Sequence, residues 1–184
     1  MAVLASVCVF CGARSGGDPA FAEAAVAAGK MLAKRDWRLV YGAGDVGLMG
    51  EVARAAMGAG GRTFGVIPVH LIPREMARSD LTRFVVTQDM HERKKVMFMN
   101  SDCVVVLPGG AGSLDEFFEV LTWAQIGLHT KPIFLVDIRG YWQPLIALVD
   151  HIIAQGFADA GLRGQFKVVS DVAALEVGLA AALS

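Results

Sequence analysis

The sequence predicts one α/β domain, a doubly wound parallel sheet with helices on both faces. Three observations predict it. Short β-branched runs alternate with helical patterns along the whole chain, inner runs such as CVVVL are apolar at every position, and no linker, repeat or low-complexity tract interrupts the 184 residues. Strand–helix alternation implies parallel strands joined by right-handed crossovers. Strands apolar on both faces are those covered by helices on both sides.

The elements follow in order. Strands are predicted at Ser6 to Phe10, Arg38 to Tyr41, Phe64 to Ile67, Phe84 to Thr87, Cys103 to Leu107 and Ile133 to Val136, from their β-branched and aromatic content. Helices are predicted at Pro19 to Lys34, Val46 to Met57, Met90 to Asn100, Leu114 to Gly127, Tyr141 to Gln155 and Val172 to Leu183. In such a sheet, ligands bind beyond the carboxyl ends of the strands, near a switch in strand order. Three loops therefore stand out: CGARSGG after the first strand, YGAGDVGLMG after the second and LPGGAGSLDE after CVVVL.

Composition narrows the function classes. Hydrophobic residues make up 54% and charged residues 19%, which excludes disorder, and a net charge of −1 argues against nucleic-acid binding through a basic surface. A chain of this length buries roughly 70% of its unfolded surface, so it needs no disulfide or metal to fold. The apolar excess suggests a homo-oligomer. No apolar run reaches the 18 or so residues that span a bilayer, and no charged segment precedes an apolar one at the N-terminus, so no membrane association and a cytoplasmic location are expected. The three cysteines read as reduced thiols. Cys8 and Cys11 form a C-x-x-C, but on a strand residues three apart point to opposite faces, and buried thiols are expected rather than zinc or redox chemistry.

In LPGGAGSLDEFFE, Pro108 ends the strand, and successive N–H groups of a glycine-rich turn before a helix form an anion cradle. Leu114, Phe117, Phe118, Leu121, Ala124, Gln125 and Leu128 recur at helical spacing as the core stripe. Ser113 and Glu116 also read as a capping box that needs no ligand, yet such a box does not require three glycines. Gly42, Gly44 and Gly47 make a formal G-x-G-x-x-G. The segment FGVIPVH lacks the acid that a dinucleotide site needs about 20 residues on, so a nicotinamide coenzyme is not expected.

In DMHERKKVMFMN, Met90, Met97 and the Arg93–Lys94 pair share one helical face, with Lys95 as the exposed member. A basic pair snorkelling on the surface is the plain alternative. No nucleoside-triphosphate loop, serine elbow or metal-ligand cluster is present. What remains is glycine-rich anion binding, an Arg–Lys pair, and carboxylates Asp115, Glu116 and Glu119 on one helix. Those parts suit a monophosphate-bearing substrate cleaved without metal, cofactor or covalent nucleophile.

Pro108-Gly109-Gly110-Ala111-Gly112-Ser113-Leu114-Asp115-Glu116 resembles the P-G-G-x-G-T-x-x-E signature of the LOG family, cytokinin-activating phosphoribohydrolases also known by an older label, lysine decarboxylase. VCVFCG, YGAGDVGLMG, GVIP, DMHERK and LTWAQIGLHTKP agree in order and spacing. The resemblance implies a Rossmann-like fold, commonly a homodimer. It implies hydrolysis of the N-glycosidic bond of adenosine monophosphate or N6-substituted analogues to free base and ribose 5-phosphate. By matching position, Arg93 and Glu116 would be catalytic. Glu75, Lys94, Thr122 and the stretch Gly109, Gly110, Ala111, Gly112, Ser113, Leu114 and Asp115 would bind the nucleotide. Related Rossmann-like proteins act instead as nucleotide or molybdenum-cofactor carriers, the alternative reading. Two departures stand out: Ser113 replaces the usual Thr and keeps its hydroxyl, and Ala43 replaces a glycine, which matters if that position takes a positive φ.

Overall fold

The structure, a computed structural model, describes residues 5–76 and 78–184. It contains strands β1 (Ser6–Phe10), β2 (Arg38–Tyr41), β3 (Thr63–Pro68), β4 (Arg83–Thr87), β5 (Cys103–Val106), β6 (Ile133–Val136) and β7 (Lys167–Val169). The helices are α1 (Pro19–Lys34), α2 (Gly47–Gly58), α3 (Met90–Met99), α4 (Ala111–Gln125), α5 (Gln143–Ala154) and α6 (Val172–Ala182). All seven strands pair in parallel, in the order β4-β3-β2-β1-β5-β6-β7. The chain winds outward from β1 to β4, then returns to lay β5 on the other side of β1. The switch in strand order is therefore at β1 and β5, the predicted position for a ligand crevice.

Period-two alternation sorts the strand side chains into two cores. Val7, Val9 and Cys11 pack with α1, α2 and α6, while Cys8 and Phe10 pack with α3, α4 and α5. The C-x-x-C thus splits across the sheet, as expected. Cys8, Cys11 and Cys103 are free and buried, and burial pushes all three thiols up in pKa.

Helix starts fall into two kinds. Asp18, Asp89 and Asp171 cap α1, α3 and α6 by accepting the N–H of Ala20, Glu92 and Ala174, each at 2.8 Å. Helix α4 starts at Ala111, three residues earlier than its pattern predicts, with Gly110 as N-cap and no side chain capping it. Ser113 is therefore a buried residue of the first turn, and the capping box with Glu116 does not form. The predicted core stripe holds at Phe117, Leu121 and Ala124, and Val120 completes it. Gln125 and Leu128 are exposed because the helix ends there and Gly127, at φ +77°, turns the chain away.

Strand β7 is absent from the predicted set. It has three residues at the sheet edge, none fully buried, too short to carry a pattern. No helix among the described residues is long and apolar enough to cross a membrane.

Ala43, just beyond β2, is fully buried at φ +60°, the left-handed region its departure from glycine put in question. That conformation costs an L-residue roughly 1–2 kcal/mol. It persists because the Ala43 carbonyl accepts the Arg78 N–H at 3.0 Å and the methyl sits against Gly65. Ala43→Gly is expected to stay within about 1 kcal/mol of the parent, relieved strain offsetting the lost methyl and added chain entropy. Ala43→Val, β-branched at positive φ in a filled site, is expected to cost about 2 kcal/mol or more. Urea denaturation midpoints of the three proteins check both.

Candidate active site

A cavity of about 600 Å³ opens at the carboxyl ends of β1, β2 and β5, over the β1–β5 switch. Small-molecule sites typically span about 300–1,000 Å³. Two hydrogen bonds join its floor: Leu107 N–H to Phe10 O at 2.9 Å and Gly12 N–H to Pro108 O at 3.0 Å. These hold the loops after β1 and β5 side by side. Gly109 to Ser113 then lead into α4, whose uncapped first turn lines the cavity. The first N–H groups of a helix have no partner inside it, so this turn offers a cluster of donors carrying the positive end of the dipole. The Tyr141 hydroxyl donates to the Gly109 carbonyl at 2.6 Å and fixes the orientation of that peptide.

Arg93 enters from the opposite side. Its side chain is 5% exposed, and neighbouring elements hold two of its three guanidinium nitrogens, leaving Nη1 with only the Met90 sulfur at 3.8 Å among the described residues. Nε donates to Val66 O at 3.1 Å, and Nη2 donates to Gly42 O at 2.8 Å and to Glu75 Oε2 at 3.2 Å. A Cβ on residue 42 would lie 1.9 Å from Arg93 Nη2, so glycine there is a condition of the arginine's placement. The glycines of YGAGDVG thus allow close approach of neighbouring chain segments: Arg93 at Gly42, Glu75 at Gly44 and Arg14 at Gly47. Met90 and Met97 line the cavity with Arg93, as their shared helical face predicts.

The three carboxylates of α4 divide by helical angle. Asp115 and Glu119, four apart, face Lys94, whose Nζ lies 2.9 and 3.2 Å from their oxygens. Burial works to lower the Lys94 pKa, but its hydrogen bonds to Asp115 and Glu119 outweigh that and raise it. Glu116 points instead into the cavity, with no ion pair or hydrogen bond among the described residues. Burial pushes its carboxyl up to about 8; Arg93 pulls it down, while Asp115 and Glu75 reinforce the rise. Glu116 is therefore largely neutral at pH 7.

The structure brings Arg93, Glu116, Glu75, Gly109, Gly110, Ala111, Gly112 and Ser113 to one cavity. It does not bring Lys94, Leu114, Asp115 or Thr122 there. Lys94 and Asp115 are occupied with each other, Thr122 is exposed on α4, and Leu114 lines a separate apolar groove with Phe118, Trp142 and Leu145. Adjacent helical residues diverge by about 100°, and here Arg93 turns to the cavity while Lys94 turns to Asp115 and Glu119. Sequence reasoning missed Arg14, Phe21, Arg74 and Tyr141, which also line the cavity. Arg14 was within reach of it, in the loop after β1, whereas Phe21 and Tyr141 carry no local signal.

The raised Glu116 pKa has a stability consequence. Between pH 4.5 and about 8 the folded state retains a proton that the unfolded state has lost, so the native chain loses stability as pH rises through that window. Glu116→Gln, which never ionises, is expected to match the parent at pH 4. At pH 9 it should exceed the parent by on the order of 2 kcal/mol, less than full burial would give because the group meets cavity solvent. Urea midpoints at the two pH values check this.

Residues 49–177 match the family described as "Possible lysine decarboxylase". A protein of Oryza sativa subsp. japonica named "Probable cytokinin riboside 5'-monophosphate phosphoribohydrolase LOG4" is 41% identical over 92% of this chain and 74% of its own length. The cytokinin riboside 5'-monophosphate phosphoribohydrolase LOG7 of Arabidopsis thaliana is 44% identical over 82% of this chain and 70% of its own. Among solved structures, the molybdenum cofactor binding protein of Rippkaea orientalis superposes over all of both chains with a TM-score of 0.76 at 20% identity, a likeness of fold alone. On the sequence match across most of its length, this chain belongs to the LOG family, the group that the lysine-decarboxylase description covers.

Proposed function

We propose that this chain hydrolyses the N-glycosidic bond of adenosine 5'-monophosphate or an N6-substituted analogue, releasing the free base and ribose 5-phosphate. The observation that carries the proposal is the convergence of Arg93 and Glu116, from two different helices, on one cavity beside the uncapped first turn of α4. Relatives named for this reaction at 41–44% identity support it.

The 5'-phosphate binds the N–H groups at Gly110 to Ser113, supplying binding energy remote from the bond that breaks. Cleavage leaves the bonding electron pair on the departing base and positive charge on the ribose, an oxocarbenium-like transition state. Glu116, once ionised, stabilises that charge and takes a proton from the water that adds to C1', while the departing base takes up a proton from solvent, so water is divided between ribose and base. Arg93, already held by Gly42, Val66 and Glu75, donates to substrate oxygens without reorganising. Lys94 contributes indirectly by holding Asp115 and Glu119, which leaves Glu116 the one α4 carboxylate turned to the cavity. An aldehyde-cofactor decarboxylase needs a Schiff-base lysine, and among the described residues no lysine lines the cavity. The donor set does not fit that chemistry.

The working form in this proposal is a homodimer. Met99, Ile126 and Leu128 are 68%, 62% and 68% exposed at the carboxyl ends of α3 and α4. Contacts of Phe98 with Trp123 and His129 bring those ends together into one apolar patch. Thr122, exposed on the same helix, then faces the partner. Ile126→Glu is expected to shift the protein to monomer in sedimentation velocity; an unchanged sedimentation coefficient places the interface elsewhere.

Chromatography of products checks the reaction. Adenosine monophosphate and its N6-isopentenyl analogue are expected to yield free base plus ribose 5-phosphate, with Glu116→Gln losing at least about a hundredfold in kcat. Adenosine is expected to be a far poorer substrate. The kcat/KM profile should rise with pH and level above about 8, the Glu116 value. A falling limb there assigns the neutral carboxyl as proton donor to the base instead. Nucleotide binding without base release supports the carrier reading.

A further inference from the structure

The charges lining the cavity do not sum to zero. Arg93 is paired with Glu75 and Glu116 is largely neutral at pH 7, which leaves Arg14 and Arg74. Neither is ion-paired or donates a side-chain hydrogen bond among the described residues, although Arg78, nearby in the chain to Arg74, is bound by both Asp45 and Asp80. The chain as a whole carries a net charge of −1. Two uncompensated cations thus line the cavity of a slightly acidic chain, where the proposed substrate would carry a dianion.

Backbone geometry distinguishes the two arginines. The loop bearing Arg14 is wedged between the first turns of two helices. On one side Gly12 N–H bonds Pro108 O, beside the turn that opens α4. On the other, Leu48 N–H bonds Gly12 O at 3.0 Å, and Gly47, at φ +53°, lies so close that a Cβ there would come within 2.3 Å of Arg14 N. Arg14 therefore starts from a fixed backbone position next to Gly109 to Ser113, with an exposed side chain free to turn to a ligand. Arg74 rides on the β3–β4 connection, which is fastened to the other wall through Glu75 O with Asp45 N–H and through Ala43 O with Arg78 N–H.

We propose that Arg14 is the phosphate-specifying residue of this cavity, its guanidinium closing over the 5'-phosphate dianion that the amides of α4 hold from below. The assignment rests on the reading of the cavity as a 5'-phosphate site. The amides supply direction and partial charge, and Arg14 supplies the full cation that neither Arg93 nor Lys94 has to spare. A guanidinium matches phosphate oxygens with two parallel donors, which a lysine cannot reproduce.

The test uses ribose 5-phosphate, the phosphate-bearing product, as a probe that needs no turnover. Calorimetric titration is carried out on the full chain and on Arg14→Ala, Arg14→Lys and Arg74→Ala, with thermal unfolding as a check on folding. Arg14→Ala is expected to weaken ribose 5-phosphate binding roughly 10- to 100-fold, the range for hydrogen bonds to a charged group, with Arg14→Lys in between and Arg74→Ala affected less. In turnover, Arg14→Ala should raise KM for adenosine monophosphate with little change in kcat and leave adenosine unaffected, which a merely structural role would not do. Binding by Arg14→Ala within about twofold of the parent, or no binding of ribose 5-phosphate by the parent, overturns the assignment. Release of no base by the parent, with Arg14-dependent binding intact, sinks the hydrolase reading and leaves the arginine assignment standing.

Discussion

A buried guanidinium is expensive unless its donors are satisfied, and the architecture around this cavity is arranged to satisfy one. Arg93 reaches from α3 to the carbonyls of two adjacent strand segments, Val66 within β3 and Gly42 just after β2, and to the carboxylate of Glu75. Those acceptors lie where one side chain can bridge them because parallel strands run about 4.8 Å apart. Removing a partner from such a buried pair typically costs about 3–5 kcal/mol, since a charge is left without compensation. Much else follows from that constraint. Gly42 has no side chain because Arg93 occupies the space. Ala43 accepts a left-handed backbone while its carbonyl holds the Arg78 N–H, and Asp45 N–H holds Glu75 O, so the β3–β4 connection that carries Glu75 is tied down beside the arginine.

Helix α4 solves a complementary problem. It places three acidic residues within five positions, close to a turn that would bind an anion. Lys94 pairs with two of them on the outer face and offsets one of their two charges, and burial keeps the third largely protonated. Repulsion between the helix and an incoming phosphate is thereby reduced without giving up a carboxyl group in the cavity. Basic and acidic residues on α3 and α4 are thus sorted by helical angle into a structural set, Lys94 with Asp115 and Glu119, and a cavity set, Arg93 with Glu116.

A fold by itself does not decide activity. A molybdenum cofactor binding protein shares this architecture over its full length at 20% identity. Proteins named as phosphoribohydrolases match at 41–44%. In this chain the side chains at the β1–β5 switch bring an arginine and a carboxyl group from separate helices to one cavity.

The sequence by itself determined the α/β class, six of the seven strands and every α-helix, because hydrophobic period and turn residues are local properties of the chain. It also exposed the glycine-rich turn after β5 as a short motif, and it pointed to Arg93 and Glu116 through the resemblance to the LOG family. Only the tertiary structure decided which members of those motifs face the cavity. Arg93 and Lys94 are neighbours in sequence but part by a helical step, and Glu116 parts from Asp115 in the same way. Only the fold showed that the first turn of α4 is uncapped, that Ala43 is left-handed, and that Arg14 and Tyr141 join the site from loops far apart in the chain. Direction on a helix depends on where that helix begins and what packs beneath it. Convergence of distant loops depends on strand order, and neither is written in any local stretch of residues.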